Sequence, residues 1–397
     1  MSRLLAGLCA LFVLPAAASW QFSTPLEVAP AQPGVFHQLD GSGRKHVAVS
    51  GDHVALVWEE SRAGTAQVHA AFKSLTTRTF HVVRVSAGDS AGAPAIAALG
   101  GGRFVLAWEQ DGAIWARVAE AAVLGPALRI AARAMQPALA TLNGKIVAVW
   151  SEAVDRQPRL RFAHLKVRKQ TLQVNGTVRD VDPAPPRAGQ LYPDVALTPA
   201  GITVAWEDRR HGHTILLHAF SRDGKRFSQP QVLNEQPAKR SEVFGKGSGA
   251  ARVTLARHGA RGVAAVWLDK RNFLEGYDVF AGFAPNGARF GKNQKVQDDF
   301  GNTVSQWHAA LAADGAGRVA VMWDDDRDGT ADLWLAWPAG GGRWSENLAV
   351  PGASGEGQQT SPAMVFDSVG NLHCFWVERA TLEEPTQLRY AVGRFSK

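Results

Sequence analysis

One short pattern recurs through this chain and restricts its fold more than any other feature: a β-branched run that ends in tryptophan. It reads HVALVW to Trp58, RFVLAW to Trp108, KIVAVW to Trp150, GITVAW to Trp206, GVAAVW to Trp267, RVAVMW to Trp323 and NLHCFW to Trp376, at intervals of 42 to 61 residues. A period of that length is too long for a solenoid coil of one or two elements. It matches a four-stranded sheet with its turns, the blade of a propeller. The length of 397 residues would otherwise suggest two or three domains.

The same parts surround each tryptophan. A short, small-residue strand precedes it, often opened by proline, as in Pro94-Ala95-Ile96-Ala97, Pro137-Ala138-Leu139-Ala140, Pro193-Asp194-Val195-Ala196 and Pro362-Ala363-Met364-Val365. Small residues suit the crowded centre where inner strands converge, and tryptophan suits the wider space between blades. The chain ends at Arg394-Phe395-Ser396-Lys397 without a fourth strand, while Phe22-Ser23-Thr24-Pro25-Leu26-Glu27-Val28 matches the fourth-strand entry Phe227-Ser228-Gln229-Pro230-Gln231-Val232. The expectation is an all-β, seven-bladed propeller of four-stranded blades over residues 19–397. Its ring is closed by the N-terminal strand pairing into the last blade, which removes a sheet edge.

Residues 1–18 read as a secretory signal peptide: Arg3, an apolar stretch over residues 4–14, Pro15, then Ala16-Ala17-Ala18 before Ser19. The mature protein is therefore expected to be exported, periplasmic or secreted. No later apolar run is long enough for a transmembrane segment. Removing Cys9 with the leader leaves Cys374 alone, so no internal disulfide forms. The net charge of +7 is spread along the chain without a basic run, which speaks against nucleic acid and for an ordinary solvated surface. A monomer is expected.

The block W-x-[DE]-x-R stands at Trp58-Glu59-Glu60-Ser61-Arg62, Trp206-Glu207-Asp208-Arg209-Arg210, Trp267-Leu268-Asp269-Lys270-Arg271 and Trp323-Asp324-Asp325-Asp326-Arg327. With the hairpin Ser221-Arg222-Asp223-Gly224-Lys225-Arg226-Phe227, a shortened Asp box, the chain resembles the sialidase-like superfamily of bacterial propellers with BNR repeats. That resemblance implies the fold over nearly all of the mature chain. Sialidase activity would need an arginine triad, an aspartate acid/base, and a tyrosine nucleophile activated by glutamate. Where such families carry an F/Y-R-I-P element, this chain reads Val35-Phe36-His37-Gln38, so the first arginine is missing. Tyr192 with Glu242 is the best remaining catalytic pair.

Loops entering inner strands and loops leaving second strands share one face of the disc, the funnel face, where propellers favour ligands. Its candidates are His37, Asp89, Arg133, Arg187, Tyr192, Glu242, Lys246, Trp307, His308, Glu356 and Gln358. Trp307 would stack on a sugar ring, and Arg187 or Lys246 would read a carboxylate. The acids two places after tryptophan (Glu60, Glu152, Asp208, Asp269, Asp325, Glu378) recur too often for one active site and read as partners of the arginines two positions on. Asp324, Asp326, Asp328, Gly329 and Asp332 match the first half of an EF-hand loop, which would take calcium. The functional expectation is an envelope propeller that binds a glycan or a protein partner on its funnel face. The alternative is a carbohydrate-active hydrolase or lyase.

Overall fold

The computed structural model describes residues 19–88, 90–210, 212–235, 249–271 and 276–396. Residues 1–18, expected to be a signal peptide, and Asp89, Glu242 and Lys246 lie outside the described residues. The fold is a seven-bladed β-propeller. Its second strands are His53–Arg62, Arg103–Gln110, Lys145–Val154, Gly201–Asp208, Gly262–Asp269, Val319–Asp325 and Leu372–Arg379, each ending at or just beyond its tryptophan motif.

The ring closes as the chain ends predict. Ser19–Phe22 pairs antiparallel with Ser396 to Gly393, and Leu26–Ala29 pairs further along the same strand at Tyr390 to Leu388. Two N-terminal strands therefore complete the seventh blade. This converts what would be an open edge into a paired one.

Side chains alternate faces along a strand, and the alternation explains the tryptophan motif. The seven tryptophans are all fully buried, one in each of seven apolar clusters that fill the seams between neighbouring blades. Each points toward the preceding blade. Trp206, for example, packs with Ala138, Val149 and Phe162 of the third blade. The residue two places on shares that face and accepts the indole N–H: Trp150 to Glu152, Trp206 to Asp208 and Trp267 to Asp269 at 3.1 Å, Trp323 to Asp325 at 2.9 Å, Trp376 to Glu378 at 3.1 Å and Trp108 to Gln110 at 3.2 Å. The indole N–H of Trp58 has no partner among the described residues.

The paired arginines are where the sequence puts them. Arg210 lies 2.8 Å from Asp208, and Arg271 and Arg327 lie 2.6 Å from Asp269 and Asp325. These arginines also reach acids of the loop arriving from the preceding blade: Arg210 to Asp182 at 2.8 Å and Arg327 to Asp298 at 3.4 Å. The motif thus ties each loop to its neighbour and holds the blades in register.

Candidate functional site

At the funnel end of every inner strand one non-glycine residue takes a positive φ. These are Arg44 (46°), Ala93 (46°), Gln136 (58°), Tyr192 (47°), Arg252 (57°), His308 (48°) and Ser361 (53°). From the second blade to the seventh, the inner strand breaks register at this point. A left-handed backbone in a residue with a Cβ persists only where surrounding contacts hold it. In four blades the holding group is the acid just after the tryptophan, which faces the following blade: Glu59 accepts the Ala93 N–H (3.3 Å), Glu109 the Gln136 N–H (2.5 Å), Glu207 the Arg252 N–H (2.8 Å) and Asp324 the Ser361 N–H (2.9 Å), while the Tyr192 N–H donates to the Gln136 side-chain oxygen (2.7 Å). Burial raises the carboxyl pKa of Glu59, Glu109 and Glu207, opposed by those same backbone hydrogen bonds.

The first blade departs from this plan. Its inner strand is split into Val35–Gln38 and Val47–Ser50, and residues 39–46 leave the sheet between them through the short 3-10 turn Ser42–Arg44. The excursion crosses the propeller axis. The Ser42 hydroxyl donates to the Pro193 carbonyl and the Lys45 ammonium to the Val195 carbonyl, both in the fourth blade on the far side of the ring. Lys45 also pairs with Asp194 at 2.9 Å, and that buried carboxylate accepts the N–H of Val195 (2.7 Å) and of Leu255 (2.6 Å) in the fifth blade. Gly43 has φ 59° and lies against the Asp194 carboxylate, where a Cβ would collide. Residues 39–46 therefore plug the channel, leaving a cavity of about 220 Å³ below, lined mostly by apolar side chains such as Val47, Ile96, Leu139, Val195 and Leu311, with Arg44, Lys45 and Arg257 also reaching it.

Above the plug the funnel is charged. Arg44 is buried at its centre, with Nη1 3.7 Å from Asp40, and its Nε and Nη2 have no hydrogen-bond partner among the described residues. Burial pulls its pKa down to about 10 against the attraction of Asp40 and Asp324. Arg252 lies 3.4 Å from Asp40, stacks 3.9 Å above the Tyr192 ring, and leaves Nη1 without a partner among the described residues. His308 directs Nδ1 at both Asp324 oxygens (2.8 and 3.0 Å). Beside it Trp307 is 44% exposed, with its ring 5.4 Å from that of Tyr277.

Three residues predicted from sequence, Tyr192, Trp307 and His308, belong to this funnel. Others do not. His37 is buried in the seam between the seventh and first blades, where its Nδ1 meets the Thr386 carbonyl and hydroxyl at 3.0 Å and burial lowers its pKa. Arg133 is exposed and lines a separate cavity of about 600 Å³ with Glu152, Arg156 and Arg161. Arg187 is exposed in the loop before the fourth blade. The four aspartates of the proposed calcium loop are not gathered into one cage: Asp324 serves His308, Asp332 accepts the Gly355 N–H at 2.8 Å, and Asp326 and Asp328 are exposed. Among the described residues, no group of three or more His, Cys, Asp or Glu side chains is placed to hold a metal ion. Asp40, Arg44, Lys45, Asp194 and Arg252 escaped the sequence reading. A signal for Arg252 was present, because Ala93, Gln136, Tyr192 and Ser361 each precede the strand-opening proline, and Arg252 holds the equivalent place before Val253.

No protein-family model matches the chain, and no curated protein matches it. Among solved structures it is similar to a protein of unknown function from Dyadobacter fermentans, with a TM-score of 0.53 and 10% identity over 95% of this chain and 99% of that one. It is similar also to the GH93 α-L-arabinofuranosidase of Fusarium graminearum, solved with arabinobiose (TM-score 0.51, 10% identity, 93% and 97% covered). A polysaccharide lyase gives a TM-score of 0.55 at 9% identity, covering 88% and 89%. At such identities what is shared is the fold.

Proposed function

We propose that this protein is an exported propeller of the sialidase-like type that binds an acidic glycan across its funnel face in the cell envelope. The observation that carries the reading is the exposed Trp307 on a funnel face that also presents the partly exposed Arg252 guanidinium above the buried charge of Arg44. A flat aromatic face fits the apolar side of a sugar ring, and forked N–H donors fit a carboxylate or sulfate. Saccharide-active neighbours of the same fold support a carbohydrate ligand without identifying it. Calorimetric titration with uronate-containing oligosaccharides should give binding that weakens about tenfold, or about 1.4 kcal/mol, in Trp307→Ala and in Arg252→Ala. If glycan arrays and pull-downs from envelope extracts retain no glycan, the reading is wrong.

One feature favours a second reading, a hydrolase or lyase. With Nδ1 of His308 held by the Asp324 carboxylate, the ring proton sits on Nδ1 and Nε2 is left as a base facing the funnel. Cleavage of an acidic polysaccharide that disappears in His308→Gln while binding persists would establish it; absence of cleavage across a panel of such polysaccharides would retire it.

A further inference from the structure

The hairpins joining first to second strands and third to fourth strands lie on the face away from the funnel. There, in the seam between the seventh and first blades, is a cavity of about 660 Å³. One wall is the N-terminal segment around Phe22, and the back wall is formed by Lys73, His373 and Tyr390, all nearly buried.

The hydrogen bonds at the back fix what this cavity offers. Asp367 is committed to its own turn: one carboxylate oxygen accepts the N–H of Val369 (3.0 Å), Gly370 and Asn371 (2.8 Å each), and the other accepts the Asn371 side-chain amide at 2.7 Å. His373 turns Nε2 toward that second oxygen at 3.4 Å, so its proton resides there and Nδ1 accepts from the Tyr390 hydroxyl at 2.7 Å. The Tyr390 oxygen is thereby left as an acceptor. The Lys73 ammonium donates to the carbonyls of Ser74 (3.0 Å) and Thr77 (2.9 Å) and lies 5.2 Å from the Tyr390 ring centroid. No acidic side chain among the described residues pairs with it, and the cavity's other charged groups at the rim, Arg78 and Arg394, are also cationic and exposed.

A nearly buried cation without a counter-charge is costly unless an anion joins it. We propose that this cavity is a second binding site, independent of the funnel, for a small hydroxylated oxyanion the size of a sugar acid. The oxyanion meets Lys73, Arg78 and Arg394, a ligand hydroxyl donates to Tyr390, and the Phe22 and Tyr390 rings flank the carbon skeleton. The volume lies within the usual range for small-ligand sites.

The test is calorimetric titration of the whole protein with D-glucuronate, inorganic phosphate and D-glucose at matched ionic strength. Glucuronate is expected to bind one to one, at least tenfold more tightly than glucose. Displacement by phosphate would place the main contact at the oxyanion. Lys73→Met, which keeps the buried stem, should abolish binding, and Arg252→Ala in the funnel should leave it intact. Should Lys73→Met fail to fold, the exposed double variant Arg78→Ala/Arg394→Ala should weaken binding at least fivefold. Equal binding of glucose and glucuronate, no binding at all, or binding lost in Arg252→Ala and kept in Lys73→Met or the double variant would overturn the proposal.

Discussion

Asp208 is buried, yet it remains ionised because Arg210 and Trp206 serve it. Burial alone would raise its pKa, but hydrogen bonds from Arg210 and from the Trp206 indole outweigh that effect and hold it below the usual carboxylate value. The resulting stability is present above the unfolded-state pKa and is lost as pH falls through the folded-state value. Trp206→Phe removes one of these donors, whereas Trp58→Phe removes an N–H with no partner among the described residues. Both variants lose similar packing, so Trp206→Phe should cost about 1.5 kcal/mol more, the worth of a hydrogen bond to a charged group. Equal shifts of the two urea-unfolding midpoints would refute this. The role of these acids as arginine partners was legible, because repetition in six blades marks structure. The acids one place earlier were not: the position after tryptophan reads Glu59, Glu109, Ser151, Glu207, Leu268, Asp324 and Val377, too varied to register as a pattern. Yet that varied face is the one turned toward the following blade, where four of its acids hold the turn that opens the next inner strand.

The split inner strand of the first blade shows how an element can hide from sequence. Val35-Phe36-His37-Gln38, read from sequence only as the place of a missing F/Y-R-I-P element, forms the first part of that inner strand and pairs with Arg62 to Glu59. Its continuation, Val47–Ser50, pairs with Leu56 to His53. Nothing in the repeat announces that residues 39–46 will leave the sheet, since only this blade has them. Inside the plug, His46 Nε2 accepts the Gly41 N–H at 2.9 Å, and burial drives its pKa down to about 3. His218, also buried, is lowered to about 4 by the same cause. Between these values and the unfolded value of about 6.5, the unfolded chain binds protons that the folded chain refuses, so stability rises with pH there. The thermal midpoint should therefore fall as pH drops from 6.5 toward 4, with each histidine contributing up to about 1.4 kcal/mol per pH unit. His218→Phe should flatten that slope without moving its direction; an unchanged slope would mean that His218 is not kept neutral in the fold.

Ring closure was legible because the two chain ends carry complementary deficits, a missing strand and a spare one. The funnel was legible only in part, in Tyr192, Trp307 and His308; its charged centre was not, because the ring brings together residues far apart in sequence, as in the pair Asp40 and Arg252. Closure also has an energetic role that reaches beyond edge pairing. Trp20 is buried in the seam between the sixth and seventh blades against Phe366, Trp337 and Phe395, while Val28 and Ala29 enter the seam between the seventh and first. Deleting residues 19–29 would thus empty parts of two seams and bare the strand Gln387–Ser396 as an edge. Loss of a buried tryptophan alone costs about 3–5 kcal/mol, and with an unfolding entropy of about 2 cal/mol/K per residue, each kcal/mol lowers the thermal midpoint of so long a domain by about 1 °C. The truncated protein should melt about 5 °C lower and, through its exposed edge, associate as concentration rises. Adding a synthetic peptide of residues 19–29 should reverse both effects, since the peptide can add as a strand to the same edge. An unchanged midpoint in a protein that stays monomeric would show that the ring holds without its closing strands.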